Sequence, residues 1–373
     1  MRTADVAIVG GGIVGCSIAF HLAELGLERV VVFERKHVAS GATGICPGGI
    51  RQQFEREAEC VLAQRSMRFF EQINEHLLPE TPFFLERSGY LFLAESMGVI
   101  DRFRKNVAMQ NRLGIPSRIM SPEEIHEIVP SLVLDGIMGG SFCAEDGFLE
   151  DCDGVTNRML RIARDRGATL VLQAATNIQR DAEGWKISSP TDSWIARHLV
   201  IAAGVDSRDL AAQVGIELPI TPERRRLAYT EPFAARTMSP LVVALERGFA
   251  GKQLLNGVFY LGWLGENGET DNLTFTERAL TAGATLLPAL AEVPVRRVIE
   301  GLYDSTPDHR PILGNAAPGL FLATGFSGHG FMLAPAIGKM TADLIANGYE
   351  DPLFEEFALQ RFAQATLREG LQI

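Results

Sequence analysis

Positive charge is scarce in this chain: 35 Lys and Arg stand against 46 Asp and Glu, leaving a formal net charge of −11 over 373 residues. A nucleic-acid partner, which needs a surplus of cations against phosphate, is therefore not expected. Long apolar runs are also missing. Nothing approaches the roughly eighteen uninterrupted apolar residues that read as a membrane helix, so no membrane span is expected. The five cysteines, Cys16, Cys46, Cys60, Cys143 and Cys152, form no C-x-x-C pair. That spacing suits neither a disulfide framework nor a zinc or iron–sulfur site, so no metal is expected and a reduced, cytoplasmic setting is. No secretory pattern precedes Val6, where the first strand begins, and no internal repeat is present.

What is present is ordinary for a globular enzyme: 46% of residues are apolar, and the length suits two domains. The opening stretch is the most informative. Val6-Ala7-Ile8-Val9 is a buried-strand run, followed by Gly10-Gly11-Gly12-Ile13-Val14-Gly15, which fits G-x-G-x-x-G. Gly10 permits the tight turn, Gly12 lets the backbone approach a pyrophosphate, and Gly15 lets the helix pack on the sheet. The helix from Ile13 to about Leu25 aims its first amides at phosphates. Val30-Val31-Val32-Phe33 then forms a second strand closed by Glu34, about twenty residues past Gly15, where an acid accepts from ribose hydroxyls. The unit binds a dinucleotide, and Glu34 disfavours a phosphorylated ribose. By itself it does not separate NAD from FAD.

A glycine-dense loop, "ASGATGICPGGIRQQF", follows, and such a loop needs close backbone approach or unusual dihedrals. The pattern then predicts a helix over 57–77, a strand pair over 83–94, a helix ending at Gly114, and a capped helix opening at Ser121-Pro122 with Glu124 completing the box. A helix over 154–166 leads to a strand in "TLVLQAATNI". Antiparallel strands follow, including a hairpin around Asn256-Gly257. "GLFLATG" and a helix to about Ala346 end the pattern. Alternating α/β segments thus flank antiparallel sheet. The fold class expected is α/β, a Rossmann-like nucleotide-binding domain with an inserted antiparallel-sheet substrate domain. The first would comprise residues 1–80, 145–220 and 297–373, the second 81–144 and 221–296.

"DVAIVGGGIVGCSIAFHLAELG", "RHLVIAAGVDS", "GLYDSTPDHRPILG" and "GLFLATGFSGHGFMLAPAIGKMTADLI" occur in the order seen in the D-amino-acid oxidase-like flavoproteins. The chain resembles that superfamily over nearly its whole length, and most resembles its proline dehydrogenase β and sarcosine oxidase β subunits. The resemblance implies a glutathione-reductase-type FAD fold and FAD as cofactor. It places Gly10, Gly12, Ile13, Val14 and Gly15 at the pyrophosphate, Glu34 on the ribose, and Arg35, Ser40, Gly41, Ala42, Thr43 and Gly49 beside them. Ala175 would meet the adenine end, and Ala203 and Gly204 would pass alongside. Asp308, Arg310, Gly325, Ser327, Gly328, His329, Gly330, Phe331 and Met332 would complete the cradle. The glycines there let backbone lie against a flat ring. The following helix, with Pro335 in its first turn, would direct its positive end at the ring edge.

Arg51, in R-x-x-F, matches the carboxylate-binding arginine of the monomeric sarcosine oxidase pattern, with Gln52 and Gln53 as neighbours. Arg is suited to this, since its planar fork makes two parallel hydrogen bonds to a carboxylate. Three positions depart from that pattern. Met332 replaces a carboxylate-binding lysine, and Gly301 replaces the covalent flavin cysteine, so non-covalent FAD is expected. The oxygen-activating lysine aligns near Tyr260, with Lys252 at the other end of the hairpin, which leaves a dehydrogenase with a separate electron acceptor as open as an oxidase. His329 is a candidate acid or base, with a structural or electrostatic role favoured. Arg224, Arg225 and Arg226 read as a solvated face, and Tyr229, Tyr260 and Tyr303 as core aromatics able to line a pocket.

The function implied is oxidation of a C–N bond in a small amino or imino acid such as sarcosine, proline, glycine or a D-amino acid. Two alternatives share the flavin: oxidation of a 2-hydroxy acid, and a catalytic subunit active only with a partner subunit. A flavin-free scaffold is the remaining reading.

Overall fold

The computed structural model describes residues 2–265 and 270–364. Two eight-stranded sheets dominate it. In the first, the strands Ile312–Ala317, Leu320–Thr324, Ser193–Ile201, Arg2–Val9, Val30–Phe33 and Thr169–Val171 lie side by side in that order. The four central pairings are parallel. Their interior strands are buried on both faces, as continuous Val, Ile and Leu runs require. An antiparallel hairpin, Asn177–Asp181 and Gly184–Ser188, extends the early part of the Ser193–Ile201 strand.

The second sheet runs Val295–Ser305, Thr221–Thr230, Phe259–Trp263, Phe249–Gln253, Leu241–Ala244, Tyr90–Ala94, Gly139–Cys143 and Arg118–Met120. It is antiparallel except between Leu241–Ala244 and Tyr90–Ala94. A short pair, Gly49–Ile50 with Gly147–Phe148, stands between the sheets in sequence.

Three long helices cover one face of the first sheet: Ile13–Glu24, Cys152–Asp165 and Gly330–Asn347. The first is apolar all round because it is buried all round, from Ile13 to Ala23. It crosses the last helix closely. Ser17 Oγ donates to the Ala334 carbonyl at 2.9 Å, and a Cβ added at Gly338 would lie 2.2 Å from Ser17 Oγ.

Local expectations differ from the structure in a few places, each for a physical reason. The stretch expected as a strand pair over 83–94 contains one strand, Tyr90–Ala94, plus an isolated bridge from Glu86 to Phe148. Gly89, at φ 81°, breaks any continuation. "TLVLQAATNI" divides into Thr169–Val171 and Asn177–Asp181, because the chain between leaves the sheet edge after Val171 accepts from Glu34 N. The helix expected over 57–77 splits into Glu57–Glu71 and Ile73–Leu77 around Gln72. Pro335 occupies the second turn of its helix, which begins at Gly330. The box at Ser121 forms in full, with Glu124 N donating to Ser121 Oγ and Ser121 N to Glu124 Oε2.

Because the Gly338 site has no slack, Gly338→Ala should destabilise the protein by about 1–3 kcal/mol through overpacking. A lowered thermal unfolding midpoint for the FAD-loaded protein checks this, and an unchanged midpoint refutes it.

Candidate active site

A cavity of about 610 Å³ runs from the glycine turn of the first sheet to the inner face of the second. Gly10, Gly12, Ile13 and Val14 line one end. Two of the fingerprint glycines are demanded by the protein's own backbone. Gly10 has φ 121°, and a Cβ there would lie 2.2 Å from the Ala202 carbonyl; a Cβ on Gly15 would lie 2.0 Å from the Gly10 carbonyl. At Gly12 a Cβ would meet only Thr43 Oγ1, at 3.3 Å. The protein leaves that position bare on the cavity side. Thr43 Oγ1 accepts from Ile13 N at 3.0 Å, so the loop residue caps the helix that Gly12 cannot cap.

Glu34 lines the wall and organises it. One oxygen accepts from Gly11 N at 3.0 Å; the other accepts from Lys36 N and Ser40 Oγ at 2.9 and 3.1 Å. Arg35 pairs with Asp206 at 2.7 Å, both half exposed at the cavity margin. Ser40, Gly41, Ala42, Thr43, Gly49, Ala175, Ala203 and Gly204 all line the cavity.

At the far end the segment from Gly325 to His329 turns through three residues of positive φ, Gly325, Ser327 and Gly328. The buried Asp304 accepts from Gly325 N at 2.7 Å, and Ser327 Oγ accepts from Thr306 N at 3.2 Å. Burial pushes the Asp304 carboxyl upward, against the backbone amides that favour its ionised form. The turn delivers Ser327, Gly328, His329, Gly330, Phe331 and Met332 to the cavity. The Gly330–Asn347 helix starts there, with His329 as N-cap residue. Two helix N-termini, each a partial positive charge, therefore meet one elongated cavity.

Arg51 is buried in the wall at this end, 6% exposed. Its Nη1 donates to the Gln53 carbonyl, and its Nη2 lies 3.0 Å from His329 Nε2. The guanidinium lies over the Phe54 ring at 4.1 Å and near Phe92 at 5.6 Å. Arg carries donors only, so Nε2 of His329 accepts and its ring proton sits on Nδ1. That places His329 as the group orienting Arg51. Burial pulls the Arg51 guanidinium down from its ordinary range, opposed by Tyr90, Asp146 and Glu55.

Tyr260 lines the cavity and stacks on Phe148, with centroids 5.7 Å apart. Burial raises its phenol well above the usual range, so it is neutral. Lys252 pairs opposite Tyr260 in the hairpin but does not line the cavity. Its Nζ is held by Ser239 O, Ser88 Oγ and Glu86 at 2.6, 3.0 and 3.1 Å.

Several expectations need correction. Asp308 and Arg310 do not line the main cavity. Asp308 pairs with Arg361 at 2.8 Å and Arg310 with Glu59 at 2.9 Å, tying the last helical segment to the body. Gly15 and Gly325 serve the backbone without lining the cavity. Arg225 and Arg226 do line it, contrary to a wholly solvated run; Arg226 is buried and donates to Asn272 Oδ1 at 2.9 Å. Of the three tyrosines, Tyr260 and Tyr303 line the cavity and Tyr229 packs behind Tyr260. Tyr90, Phe92, Asp304 and Trp263 went unnoticed in the sequence, since nothing local marks a strand residue as facing a pocket.

Residues 5–344 match the sequence model of the DAO family, described as FAD dependent oxidoreductase. The chain belongs to that family. It is thus an FAD-dependent oxidoreductase, and FAD is its cofactor. The structure of L-proline dehydrogenase from P. horikoshii superposes with a TM-score of 0.91 at 30% identity, covering 98% of this chain and all of that one. Glycine oxidase from Geobacillus kaustophilus gives 0.85 at 24% identity, with 100% of each chain covered. The FAD-dependent oxidoreductase domain-containing protein 1 of Bos taurus is 28% identical over 96% of this chain and 84% of its own length. Mitochondrial dimethylglycine dehydrogenase of Mus musculus is 26% identical over 94% of this chain, which spans 43% of that enzyme.

The residues present fit the cofactor. Gly12 and the capped helix start offer amides without a side chain in the way, Glu34 lines the wall beside them where it could accept from ribose hydroxyls, and the turn at 325–330 brings glycine backbone to the far end. Among the described residues no helix is long and apolar enough to cross a membrane. Gly301 lies off the cavity, and a Cβ there would sit 1.6 Å from Ile45 Cδ1, so a cysteine at that position would have to push the Ile45 side chain aside. In acid-precipitated holoprotein all the flavin should therefore remain in the supernatant. A yellow pellet would contradict non-covalent binding.

Proposed function

We propose that this oxidoreductase oxidises the carbon–nitrogen bond of a small amino or imino acid, with Arg51 as the anchor for the substrate carboxylate. The observation that carries this reading is a guanidinium, buried at the end of the cavity where the Gly330–Asn347 helix begins and hydrogen-bonded to His329. FAD, when bound, supplies the two-electron acceptor for such an oxidation. The chain's own residues bind, orient and exclude water. Arg51 offers a planar fork to a carboxylate, and Tyr90, Phe92, Leu241, Val243, Tyr260 and Trp263 form a largely apolar wall around the rest. His329 Nε2 already accepts from Arg51, so it is not the atom that takes the amine proton, and the substrate binds as the neutral amine.

The solved relatives named for proline and glycine support an amino-acid substrate. The domain reading that goes with it assigns the first sheet and its helices to the cofactor and the second sheet to the substrate. We further propose a cytoplasmic enzyme that passes electrons to a separate acceptor or partner subunit. Lys252, bound to Glu86, Ser88 and Ser239 away from the cavity, supports that over direct use of oxygen.

Anaerobic titration with sarcosine, L-proline, glycine, D-alanine and 2-hydroxyglutarate should reduce the flavin with one of the first four. Reduction by 2-hydroxyglutarate alone would favour hydroxy-acid oxidation instead. Arg51→Ala should lower kcat/KM for the reducing substrate by about 2–5 kcal/mol, the usual cost of removing one partner of a buried charge pair, with FAD content retained. Unchanged reduction kinetics would remove Arg51 from the site.

A further inference from the structure

We propose that Asp146 is a positioning residue for carboxylate binding: its ionised side chain fixes the Gln52–Gln53 turn, and through that turn the direction of the Arg51 guanidinium. The inference rests on the reading of Arg51 as the carboxylate anchor.

Asp146 is fully buried and lies just before the short strand Gly147–Phe148, which pairs with Gly49–Ile50 immediately ahead of Arg51. Its two oxygens are divided. Oδ1 accepts from Gln52 N at 2.7 Å, and Oδ2 accepts from Gln53 Nε2 at 2.9 Å. The Gln53 amide also donates to the Tyr90 carbonyl at 3.1 Å and accepts from Ser141 Oγ at 2.8 Å. Its main-chain carbonyl, fixed by these contacts, receives Arg51 Nη1. The carboxylate thus reaches Arg51 through one backbone amide and one side-chain amide. The other terminal nitrogen, Nη2, meets His329.

The energetics argue for function over stability. Burial raises the Asp146 carboxyl from 3.8 to about 6, even though Gln53, Gln52, Arg51 and Cys143 all favour its ionised form. A folded-state pKa above the unfolded value means that ionising this group opposes folding as pH rises through it. The ionised form is the one whose two oxygens can both accept, from Gln52 N and Gln53 Nε2. The other titratable groups facing Asp146 are Arg51, Cys143, Cys60 and Tyr90. Burial lifts both cysteines to about 12 and the tyrosine further, so none of these changes charge between pH 5 and 8. On protonation the carboxyl loses its charge and turns one acceptor into a donor facing an N–H. Carboxylate binding should therefore be strong above the Asp146 pKa and weaken as pH falls through it.

The test uses FAD-loaded enzyme and benzoate, a carboxylate with no oxidisable amine, followed by the shift it causes in the flavin spectrum. Its own carboxyl, with a pKa near that of a simple acid at roughly 4, stays ionised from pH 5 to 8. For the wild type, Kd should rise as pH falls, with a midpoint near 6. Asp146→Asn should bind benzoate about tenfold more weakly at pH 8, the scale of a misdirected binding group, and should show no limb. A folded Asp146→Asn protein that keeps the wild-type limb overturns the proposal. Gln53→Met provides the check if Asp146→Asn does not fold. It deletes the side-chain hydrogen bond that favours the ionised form, so the limb should move to higher pH, and an unmoved limb overturns the proposal. Arg51→Ala separates the two readings. If it binds benzoate like the wild type, the anchor assignment itself fails. If it loses benzoate while Asp146→Asn does not, only the role of Asp146 fails.

Discussion

The close crossing of the Ile13–Glu24 and Gly330–Asn347 helices is the contact on which the site depends. It joins elements more than 300 residues apart in sequence, through Ser17 Oγ and the Ala334 carbonyl. Because Gly338 has no side chain, the axes approach closely enough for that bond to form. Both helices then begin at the same cavity, one behind Gly12 and the other behind His329. A dinucleotide carries its negative charge in the middle and its reactive ring at one end. Two helix starts at different points along one elongated cavity match that distribution.

Much of this was legible in the sequence, and the reason is periodicity. The glycine fingerprint, the strand runs and the acid at position 34 are local patterns with local causes. The hairpin at Asn256-Gly257 and the box at Ser121 belong to the same class: each is a few residues long, and each forms. What escaped was set by long-range pairing. Asp308 and Arg310 sit in a stretch that resembles a cofactor motif, yet their charges are consumed by Arg361 and Glu59, 53 and 251 residues away. Arg226 looked like one of three solvated cations, yet it is buried, with Asn272 and Glu300, 46 and 74 residues away, at 2.9 and 3.5 Å. Asp146 carried no signal, being one acid in "AEDGF" until the fold sets it against Gln52 and Gln53.

The break in "TLVLQAATNI" shows the same division between local pattern and distant demand. Propensity favours continuing the strand. Instead the chain departs after Val171, whose carbonyl is taken by Glu34 N, and residues 174 and 175 turn to the cavity. Where a strand pattern fails inside an otherwise regular sheet, the failure marks a surface shaped for a ligand.

Buried charge is distributed unevenly, and that asymmetry separates scaffold from site. Arg310 and Glu59 form a direct ion pair at 2.9 Å, each largely buried, so the two charges face each other directly. Around Arg51 the arrangement is different. Its two terminal nitrogens meet a carbonyl and a neutral imidazole nitrogen, while the carboxylate of Asp146 is spent on the amides of Gln52 and Gln53. A carbonyl and an imidazole nitrogen orient the guanidinium through hydrogen bonds, and Asp146 acts on it one amide away, through the backbone that carries the Gln53 carbonyl.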